Sequence, residues 1–593
     1  MQGDGSQVRL CFDFTGDGNS LSPLLLTRPV RIVAAYRVEE VLPALRAVQA
    51  AVAEQGLTAA GFVSYEAAPA FDAAMQVRPA SRLPLVWFGL FTGPTEPDMD
   101  APPGPFALTP WEANLSETQF TEDVAQIRAA IGNGACYQVN HTLRLRAHFT
   151  GDDFAWYRQL QSAQQSAYSA YLDTGRYRIL SVSPELFFHR LGDRIVTCPM
   201  KGTMPRGRWA EEDLQRMQEL TASEKERAEN LMIVDLLRND LGRIARTGSV
   251  QVEKLFAVER YPTVLQMTST VSAALPPATA LADLFTALFP CGSVTGAPKI
   301  SAMHHIAALE CSPRQVYCGA VGYLLPNGPT VFNVAIRTVL LDTETGIAEY
   351  GVGSGITWDS TPEGEYAENR LKARVLEQHW PRFDLLETLR LEQGVYALQQ
   401  RHIDRVCASA LYFGIPLSEQ AVRDALESTA RGRAVGRWRV RLLVTQHGEL
   451  RIEKKPIDPL PEAGLHAALA ASPISRNDRF LFHKTTHRSV YEARRAERPD
   501  VEETLLWNEE GELTEFTTGN LVLEREGQLW TPPLDCGLLP GTLRAELLAG
   551  GEISERVLRS PDLEAATALW LINSVRGWVP IQIAPEKDDS RAA

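Results

Sequence analysis

The sequence predicts two domains of mixed α and β structure, and three observations support this. The chain has 593 residues, of which 45% are hydrophobic and 22% charged, enough apolar material for folded cores and a length of about four structural units. Short β-like runs alternate with helical periodicity along the chain. Pro381 follows a strongly helical segment and is expected to end it. We therefore expect a first domain at residues 1–378 and a second at residues 379–593.

The periodicity assigns the main elements in chain order. Two-residue alternation and β-branched residues indicate strands, whereas Ala-rich stretches with the 3.6-residue period indicate helices. The first domain is expected to have strands at 8–14 and 85–91 and helices at 39–56 and 118–132. The second is expected to have strands at 438–444, 504–507 and 521–524 and helices at 400–413 and 542–549.

Charge and cysteine content argue against several classes of protein. The formal net charge is −14, whereas binding to nucleic acid or to an anionic membrane needs a basic face. We expect neither partner. The eight cysteines include no C-x-x-C pair, as in reduced thiols. The sequence has neither a signal-peptide pattern nor an apolar run of about 18 residues that could span a bilayer, so a cytoplasmic location is expected.

Two predicted helices of the first domain carry carboxylates. Ser223 and Glu226 form a capping-box pattern, and Glu229 lies in the N-terminal half of the helix that they begin. Glu229 is either a solvated side chain that complements the helix dipole or a ligand. The helix is expected to end at Gly242.

The second helix is expected to be capped by Ser360 or Thr361. Glu365, Glu368 and Lys372 follow at positions i, i+3 and i+7, on one face. Two carboxylates repel each other unless a cation lies between them, so this face is either exposed or metal-binding. Oxygen ligands without nearby His or Cys suit Mg²⁺.

Two lysines lie in sequence contexts that suit covalent chemistry. Lys201 precedes Gly202 in a turn, where glycine permits close approach of a ligand; its amine is a nucleophile only if partly neutral, and otherwise it is a surface lysine. Lys484 follows an apolar run, and Glu515 and a helix beginning at Thr542 come later. A lysine, an acid and an anion-binding helix terminus are what pyridoxal phosphate requires, although each alone is ordinary.

An ordered series of motifs resembles that of the chorismate-utilising enzymes. This family includes anthranilate synthase, isochorismate synthase and aminodeoxychorismate synthase component I. The motifs are SVSPELFF at 181–188, PMKGT at 199–203, RAENLMIVDLLRNDLGR at 227–243, GSVTGAPK at 292–299, YCGAVGYL at 317–324, AIRT at 335–338 and GSGITWDSTPEGEYAE at 353–368. The resemblance covers most of residues 115–376 and implies a large α/β sandwich with chorismate and Mg²⁺ between its sheets.

The resemblance also implies roles for individual residues. The implied Mg²⁺ ligands are Glu229 and Glu368, with Glu365 one turn away. Tyr317 and Arg337 are implied to hold the pyruvyl carboxylate, and Glu185 to act as a general acid/base. The backbone that lines the substrate is implied to be that of Gly202, Thr203, Gly353, Ser354 and Gly355.

A lysine at position 201 resembles the pattern of the aminodeoxychorismate synthases. Anthranilate synthases have a small residue at this position instead. The implied reaction adds the Lys201 amine to C2 of chorismate with loss of the 4-hydroxyl, after which ammonia enters at C4. Where several family members have a histidine, this chain has Gln266, which puts an acid/base role at that position in question. Because no G-x-C-x-G glutaminase turn is found, ammonia is expected from solution or from a separate glutamine amidotransferase.

Residues 384–583 are similar to the class IV aminotransferase fold, which includes branched-chain and D-amino-acid aminotransferases and aminodeoxychorismate lyase. The resemblance rests on ETLRLEQGVYALQQRHIDRVCASA at 387–410 and INSVRG at 572–577. It implies a pyridoxal phosphate site. The implied cofactor-binding residues are Lys484, Glu515, Arg405, Thr518 and Thr542.

The pairing of the two domains favours 4-aminobenzoate synthesis. A domain that makes 4-amino-4-deoxychorismate would be joined to a lyase that releases 4-aminobenzoate and pyruvate. One alternative is an anthranilate or isochorismate synthase-like domain fused to a branched-chain or D-amino-acid aminotransferase, against which Lys201 argues. Another is that one domain is a non-catalytic scaffold, against which the retained lysines and carboxylates argue.

Overall fold

The computed structural model describes residues 8–15, 21–79, 82–95, 104–377, 380–431, 436–459 and 464–584. The chain divides into two compact units, Met1–Pro205 with Met217–Trp380, and Arg206–Arg216 with Pro381–Ala593. The expected boundary between residues 378 and 379 lies outside the described residues. Residues 206–216 differ from the sequence expectation, which assigned them to the first domain, because their side chains pack against residues of the second unit.

The strands of the first unit form two sheets. They are β1 (Arg9–Phe14), β2 (Leu24–Thr27), β3 (Arg31–Ala35), β4 (Thr58–Val63), β5 (Val86–Phe91), β6 (Phe106–Leu108), β7 (Glu112–Ala113), β8 (Gln138–Gly151), β9 (Tyr168–Asp173), β10 (Tyr177–Ser183), β11 (Leu186–Leu191), β12 (Arg194–Cys198), β13 (Met200–Pro205), β14 (Gln251–Arg260), β15 (Val264–Ala274), β16 (Gly296–Ala297), β17 (Ala320–Leu324), β18 (Thr330–Val334), β19 (Thr338–Asp342) and β20 (Ile347–Ile356).

The two sheets pack face to face over one apolar core. The first has the strand order β16-β8-β20-β19-β10-β9-β1-β2, and the second β13-β15-β12-β11-β18-β17-β4-β5-β3. Phe12 and Phe14 from the first sheet and Phe62 and Tyr323 from the second belong to the same buried cluster. Alternation along each strand places these side chains on the inner faces. The predicted two-sheet α/β sandwich is confirmed.

Helices cover the outer faces of both sheets. Those before residue 380 are α1 (Val38–Gln55), α2 (Glu117–Gly132), α3 (Asp153–Gln164), α4 (Ala210–Ala222), α5 (Glu224–Gly242), α6 (Leu281–Leu288), α7 (Lys299–Leu309) and α8 (Pro362–Ala373). α1, α5 and α6 bury apolar side chains against the second sheet, and α2, α3 and α7 against the first. Helix α6 buries six of its eight residues, whereas the other five bury one face and leave residues of the opposite face partly or fully exposed.

The second unit contains a four-stranded and an eight-stranded sheet. Its strands are β21 (Leu385–Glu392), β22 (Val395–Tyr396), β23 (Arg437–Val444), β24 (Leu450–Pro456), β25 (Leu465–Leu469), β26 (Glu503–Trp507), β27 (Leu513–Phe516), β28 (Gly519–Arg525), β29 (Gln528–Thr531), β30 (Ser554–Glu555), β31 (Ala568–Asn573) and β32 (Gly577–Ile583). Its helices after residue 380 are α9 (Gln399–Phe413), α10 (Glu419–Ala430), α11 (Ser489–Glu497), α12 (Thr542–Ala549) and α13 (Ser560–Glu564).

The larger sheet closes on itself. Its order is β27-β26-β25-β32-β31-β28-β29-β30, and β27 also pairs with β28. Apolar residues from the closed ring form a common core, as in a filled barrel. Among the described residues, no helix combines the length and apolarity needed to cross a membrane.

Helix caps follow the predicted residues with one exception. The Ser223 hydroxyl accepts from the Glu226 backbone N–H at the start of α5, and Thr361 caps α8 through the N–H of Gly364. The reciprocal half of the capping box is not formed, because the carboxylate of Glu226 points toward Gly202. That difference places an additional carboxylate in the site described next.

Candidate active sites

A cavity of about 150 Å³ in the first unit gathers most of the residues implied by the motifs. Those that line it are Glu185, Lys201, Gly202, Thr203, Glu229, Tyr317, Arg337, Gly353, Gly355, Glu365 and Glu368. Ser354 does not line it and is buried instead. Successive side chains of a strand point to opposite faces, so the side chain between two cavity-lining glycines of β20 points away from the cavity.

Lys201 reaches the cavity because β13 is irregular. The register between β13 and β15 shifts between Met200 and Thr203, and Gly202 adopts a positive φ of 98° that favours glycine. A Cβ on Gly355 would lie 2.3 Å from the Nζ of Lys201. The absence of a side chain at residue 355 therefore leaves room for the amine.

Gln266 anchors the turn that follows Lys201. Its Nε2 donates to the backbone oxygen of Gly202 at 2.9 Å, and its Oε1 accepts from the Thr203 hydroxyl at 3.0 Å. The side chain of Asn230 donates to the backbone oxygen of Lys201 at 3.2 Å. Gln266 thus holds the backbone through its neutral amide and needs no titration to do so.

Glu185 combines burial with a short hydrogen bond. The Ser293 hydroxyl donates to its Oε1 at 2.6 Å. Burial raises the pKa of Glu185 to about 7, although Ser293 and the charge of Lys201 act in the opposite direction. A carboxyl group with this pKa can exchange a proton near neutral pH, as a general acid/base must.

Glu226 is a cavity-lining carboxylate that the sequence interpretation missed. The sequence interpretation assigned this side chain to the helix cap. In the structure, the Oε2 of Glu226 lies 3.1 Å from the position that a Cβ on Gly202 would occupy. Burial raises the pKa of Glu226, and the neighbouring carboxylates of Glu229 and Glu368 raise it further. The signal was the spacing of Glu226 and Glu229 at i and i+3, which places both on one face of α5.

Lys372 links the acidic helix α8 to strand β20. Its Nζ lies 2.7 Å from Glu368 Oε1 and donates to the backbone oxygen of Gly353 at 2.9 Å. Burial favours a higher pKa for Glu368, but the charge and hydrogen bond of Lys372 outweigh it and lower that pKa. Glu365 accepts a hydrogen bond from Ser360 at 2.6 Å.

The carboxylates suit a metal ion that keeps most of its own water. No three Asp, Glu, His or Cys side chains within the described ranges lie close enough together to hold a metal ion. Mg²⁺ commonly binds one or two protein carboxylates and completes its shell with water and substrate. The carboxylates of Glu229 and Glu368 contribute to the raised pKa of Glu226, as expected where negative charges lie close together, and a divalent cation would reduce this repulsion.

Arg337 provides a buried positive charge on the cavity wall. Burial lowers its pKa, while Tyr350 and Tyr261 act in the opposite direction. In the part of the chain that the structure describes, no carboxylate lies within ion-pair distance of its guanidinium. The ring of Tyr317 packs on Gly351, where a Cβ would lie 2.3 Å from the ring. A buried guanidinium with no carboxylate partner among the described residues is suited to binding an anion.

A buried ion pair supports two further walls of the cavity. Arg314 donates to Glu310 Oε1 at 2.6 Å, to the Asn140 backbone oxygen at 2.7 Å and to the Val294 backbone oxygen at 2.7 Å. The Thr142 hydroxyl donates to Glu310 at 2.7 Å. Because Asn140 and Val294 line the cavity, Glu310 helps to fix its shape.

In the second unit, Lys484 lies among charged side chains. Burial lowers its pKa to about 8, with Arg405 and Arg488 contributing and the carboxylates of Glu387 and Glu515 opposing. The backbone oxygen of Lys484 accepts from the Leu386 N–H of β21 at 2.9 Å. A larger fraction of this amine is therefore neutral near physiological pH than in an ordinary lysine, which favours a nucleophilic or basic role.

Glu515 is held by three donors. The Tyr491 hydroxyl donates to it at 2.7 Å, the Leu539 N–H at 3.0 Å and the Asn520 amide at 3.1 Å. Burial nevertheless raises the pKa of Glu515 to about 7. The carboxyl group is thus held in one orientation and can exchange a proton near neutral pH.

Arg405 is oriented by a carboxylate that the sequence interpretation did not single out. Its Nε and Nη2 donate to Glu387 at 2.8 and 2.7 Å. His402, one turn earlier on α9, binds the same carboxylate at 2.6 Å and lies 3.3 Å from the Thr542 hydroxyl. Although burial opposes it, the charge of Arg405 and the interactions with Arg405 and His402 lower the pKa of Glu387 to about 2. The i, i+3 spacing of His402 and Arg405 was the available signal.

The structure gives Thr518 different surroundings from the other cofactor-binding candidates. The residue is exposed, and its hydroxyl donates to Glu503 at 2.5 Å. Thr542, by contrast, is buried and begins α12 after Gly541. The hydroxyl of Thr518 is thus already hydrogen-bonded to the carboxylate of Glu503.

Comparison with known proteins identifies the family. The family model described as chorismate binding enzyme matches residues 14–378, more than half of the chain. The chain belongs to the chorismate binding enzyme family. In this chorismate binding enzyme, residues 384–584 match a second model, amino-transferase class IV. Both resemblances drawn from the motifs are confirmed.

Relatives of this chorismate binding enzyme cover its first part. It is 45% identical over 276 residues to aminodeoxychorismate synthase component 1 of Klebsiella aerogenes, covering 46% of this chain and 60% of that protein. It is 40% identical to anthranilate synthase component 1 of Streptomyces coelicolor, covering 46% and 54%. The chain thus spans 60% or less of the length of these two curated relatives.

A solved structure shares the fold. Anthranilate synthase component I of Streptococcus pneumoniae matches with a TM-score of 0.51 and 28% identity, covering 63% of this chain and 93% of that protein. The covered share is consistent with the length of the first unit.

Proposed function

We propose that this chorismate binding enzyme makes 4-aminobenzoate in two steps. The first unit replaces the 4-hydroxyl of chorismate by an amino group from ammonia, and the second removes pyruvate from the resulting 4-amino-4-deoxychorismate. The observation that carries the proposal is the amine of Lys201, which enters the cavity lined by Glu185 and the acidic residues of α5 and α8. The relatives named aminodeoxychorismate synthase component 1 support the same reaction.

Lys201 and Glu185 divide the chemistry of the first step. The amine of Lys201, once it has lost its proton, forms a bond to C2 of the ring, both ring double bonds shift toward C4, and the 4-hydroxyl leaves as water with a proton from Glu185. Ammonia then forms a bond to C4, both double bonds shift back, the bond from C2 to Lys201 breaks, and Glu185 accepts the proton that ammonia releases. The pKa of Glu185, raised by burial to about 7, allows both transfers.

The charged walls orient the substrate. Arg337, which has no carboxylate partner among the described residues, would bind one substrate carboxylate. Glu229 and Glu368, with Glu226 beside them, would hold Mg²⁺. When bound, the ion supplies positive charge that anchors the second carboxylate of chorismate and stabilises charge that develops on the ring. Glu365, whose carboxylate accepts a hydrogen bond from Ser360, would lie beside the ion, one turn of the helix from Glu368.

The second unit fits pyridoxal phosphate. Lys484 would bond the cofactor, Glu515 would face its ring nitrogen, and Arg405 with the start of α12 at Thr542 would hold its phosphate. When bound, the cofactor supplies a ring that accepts electrons. Lys484, whose burial lowers the pKa of its amine to about 8, would remove the proton at C4 of the substrate before pyruvate leaves.

In this proposal ammonia comes from solution or from a separate partner. The relatives are called component 1, which supports a separate glutamine amidotransferase subunit as the second component. Free ammonia at high concentration would replace it.

The cysteines that the structure describes are free thiols, as expected in a reducing compartment such as the cytoplasm.

Product analysis tests the proposal. The purified chain is incubated with chorismate, Mg²⁺ and ammonium, with and without pyridoxal phosphate, and products are separated by chromatography with mass detection. We expect 4-amino-4-deoxychorismate without the cofactor and 4-aminobenzoate with it. Lys201→Ala should stop the first step but convert supplied 4-amino-4-deoxychorismate, whereas Lys484→Ala should accumulate it. Lys455→Ala, an exposed lysine of β24, is the control.

The same experiment tests the alternatives. Anthranilate as the main product would support the anthranilate synthase-like alternative, which the relative from Streptomyces coelicolor favours. Equal loss of both steps in Lys201→Ala would contradict two independent sites. A second unit that gains no visible absorption band with pyridoxal phosphate would support the scaffold alternative for that unit.

A further inference from the structure

Residues 206–216 form a segment with a double assignment. The chorismate binding family model extends over them, yet they belong to the second compact unit. Arg206 lies in this segment and is buried. The segment therefore has contacts within the second unit that its place in the sequence does not predict.

The first contact is a buried ion pair attached to α9. Arg206 donates to both carboxylate oxygens of Asp213, at 2.6 and 3.0 Å, and to the backbone oxygen of Tyr412 at 2.8 Å. Its guanidinium lies 4.3 Å from the centre of the Tyr412 ring. The Tyr412 hydroxyl donates in turn to Gly207 at 2.7 Å. The ring of Tyr412 lies 4.2 Å from that of His483, the residue before Lys484.

The second contact is apolar. The ring of Trp209 lies 5.0 Å from that of Phe482, and Trp209 packs against a buried cluster that includes Phe482 and Tyr491. Phe482 is two residues before Lys484. Tyr491 donates the 2.7 Å hydrogen bond to Glu515. One tryptophan thus contacts the side chain two residues before the lysine and packs against the cluster that contains the tyrosine that orients the acid.

We propose that Trp209 and Arg206 are positioning residues of the cofactor site in the second unit. The proposal rests on the proposed function, which assigns pyridoxal phosphate to Lys484 and Glu515. Trp209 acts through Phe482 and Tyr491, and Arg206 acts through Tyr412 and His483. Neither touches the reacting atoms.

The proposal follows from how buried sites are supported. A cavity left by a removed tryptophan relaxes only partly, so its neighbours move or water enters. Movement of Phe482 displaces Lys484, and movement of Tyr491 releases Glu515. Because the amine of Lys484 has its pKa lowered chiefly by burial, water entering beside it should raise that pKa. Substitutions in the segment should therefore alter both cofactor binding and the protonation of Lys484. A substitution with a purely structural effect elsewhere in the unit should not.

The test uses the full chain and readouts other than turnover. Trp209→Ala, Trp209→Phe and Arg206→Met are compared with the parent chain, and Trp438→Ala, in β23 of the other sheet, is the control. The dissociation constant of pyridoxal phosphate is measured from its visible absorption band, and the band is titrated with pH. We expect Trp209→Ala and Arg206→Met to weaken binding by about tenfold or more and to displace the titration midpoint, with Trp209→Phe retaining binding.

The outcomes separate this proposal from the function on which it rests. If the parent chain gives no band with pyridoxal phosphate, the proposed function of the second unit fails. If the parent binds and both Trp209→Ala and Arg206→Met show the parent dissociation constant and midpoint, the positioning role is wrong. Equal weakening in Trp438→Ala would also overturn it, because the effect would then reflect general destabilisation.

Discussion

The Nε2 of Gln266 lies 2.9 Å from the backbone oxygen of Gly202, to which it donates a hydrogen bond. This contact holds the residue after Lys201 in its positive-φ conformation. We expect Gln266→Ala to reduce kcat/KM for chorismate amination by about tenfold, or roughly 1.4 kcal/mol, because its hydrogen bonds with Gly202 and Thr203 are both lost. Gln266→His should retain more activity at high pH than at pH 5, because a protonated ring loses the acceptor that Thr203 uses. Equal activity of all three proteins would contradict the anchoring role.

Gly355 leaves the space that the Lys201 amine occupies. In Gly355→Ala the new methyl would lie 2.3 Å from Nζ and 2.0 Å from the Gln138 side-chain nitrogen. Both are ends of flexible side chains, so we expect the protein to fold and Lys201 to be displaced. Steady-state kinetics should show a loss of chorismate amination of about a hundredfold. Gly242→Ala is the matched control, since nothing lies within 4 Å of its Cβ position; a comparable loss there would refute the steric explanation.

Glu185 should give the first step a pH dependence near neutrality. Its pKa is raised by burial from 4.5 to about 7, so the protonated acid is lost as pH rises through about 7 and kcat/KM should fall. Glu185→Gln should lower kcat by about a hundredfold or more and remove this limb of the profile. Rates measured from pH 5 to 9 check both effects. An unchanged limb in Glu185→Gln would assign it to another group.

The same shift predicts the sign of a stability effect. The folded state holds the Glu185 proton more tightly than the unfolded state, so this group's contribution to stability decreases as pH rises from about 4.5 to about 7. Glu185→Gln should therefore reduce the decline in Tm over that window. Thermal unfolding at pH 5 and pH 8 measures the difference. A steeper decline of Tm in the variant would contradict the conclusion that burial disfavours the charged form of Glu185.

Glu310 should affect substrate binding more than chemistry. Glu310→Gln removes the negative charge between Arg314 and the Thr142 hydroxyl and should destabilise the unit by about 3 kcal/mol, while releasing the walls at Asn140 and Val294. We expect KM for chorismate to rise severalfold with a smaller change in kcat. Asp240→Asn breaks another buried pair, with Lys299 at 2.9 Å, and serves as the control. If it raises KM equally, the effect is loss of stability.

The sequence by itself determined the elements and the chemical types of the site residues. Local signals set the N-cap of α5 at Ser223 and the start of α12 at Thr542, because a capping side chain in α5 and helix periodicity in both act over a few residues. The order of the motifs indicated both families. Lys201 and Lys484 could be singled out since lysine beside glycine or after an apolar run is a local pattern.

Only the tertiary structure decided which side chains share a site and which segments share a unit. Glu226 was assigned to a helix cap because its position in the sequence fits a capping residue as well as a cavity-lining residue. The irregular strand at Gly202 decides that it lines the cavity. Ser354 points away from the cavity for a reason set by strand pairing. Residues 206–216 belong to the second unit because Arg206 and Trp209 find their partners about 200 or more residues later in the chain. Burial and long-range packing, which fix pKa values and contacts alike, depend on residues that local sequence cannot relate.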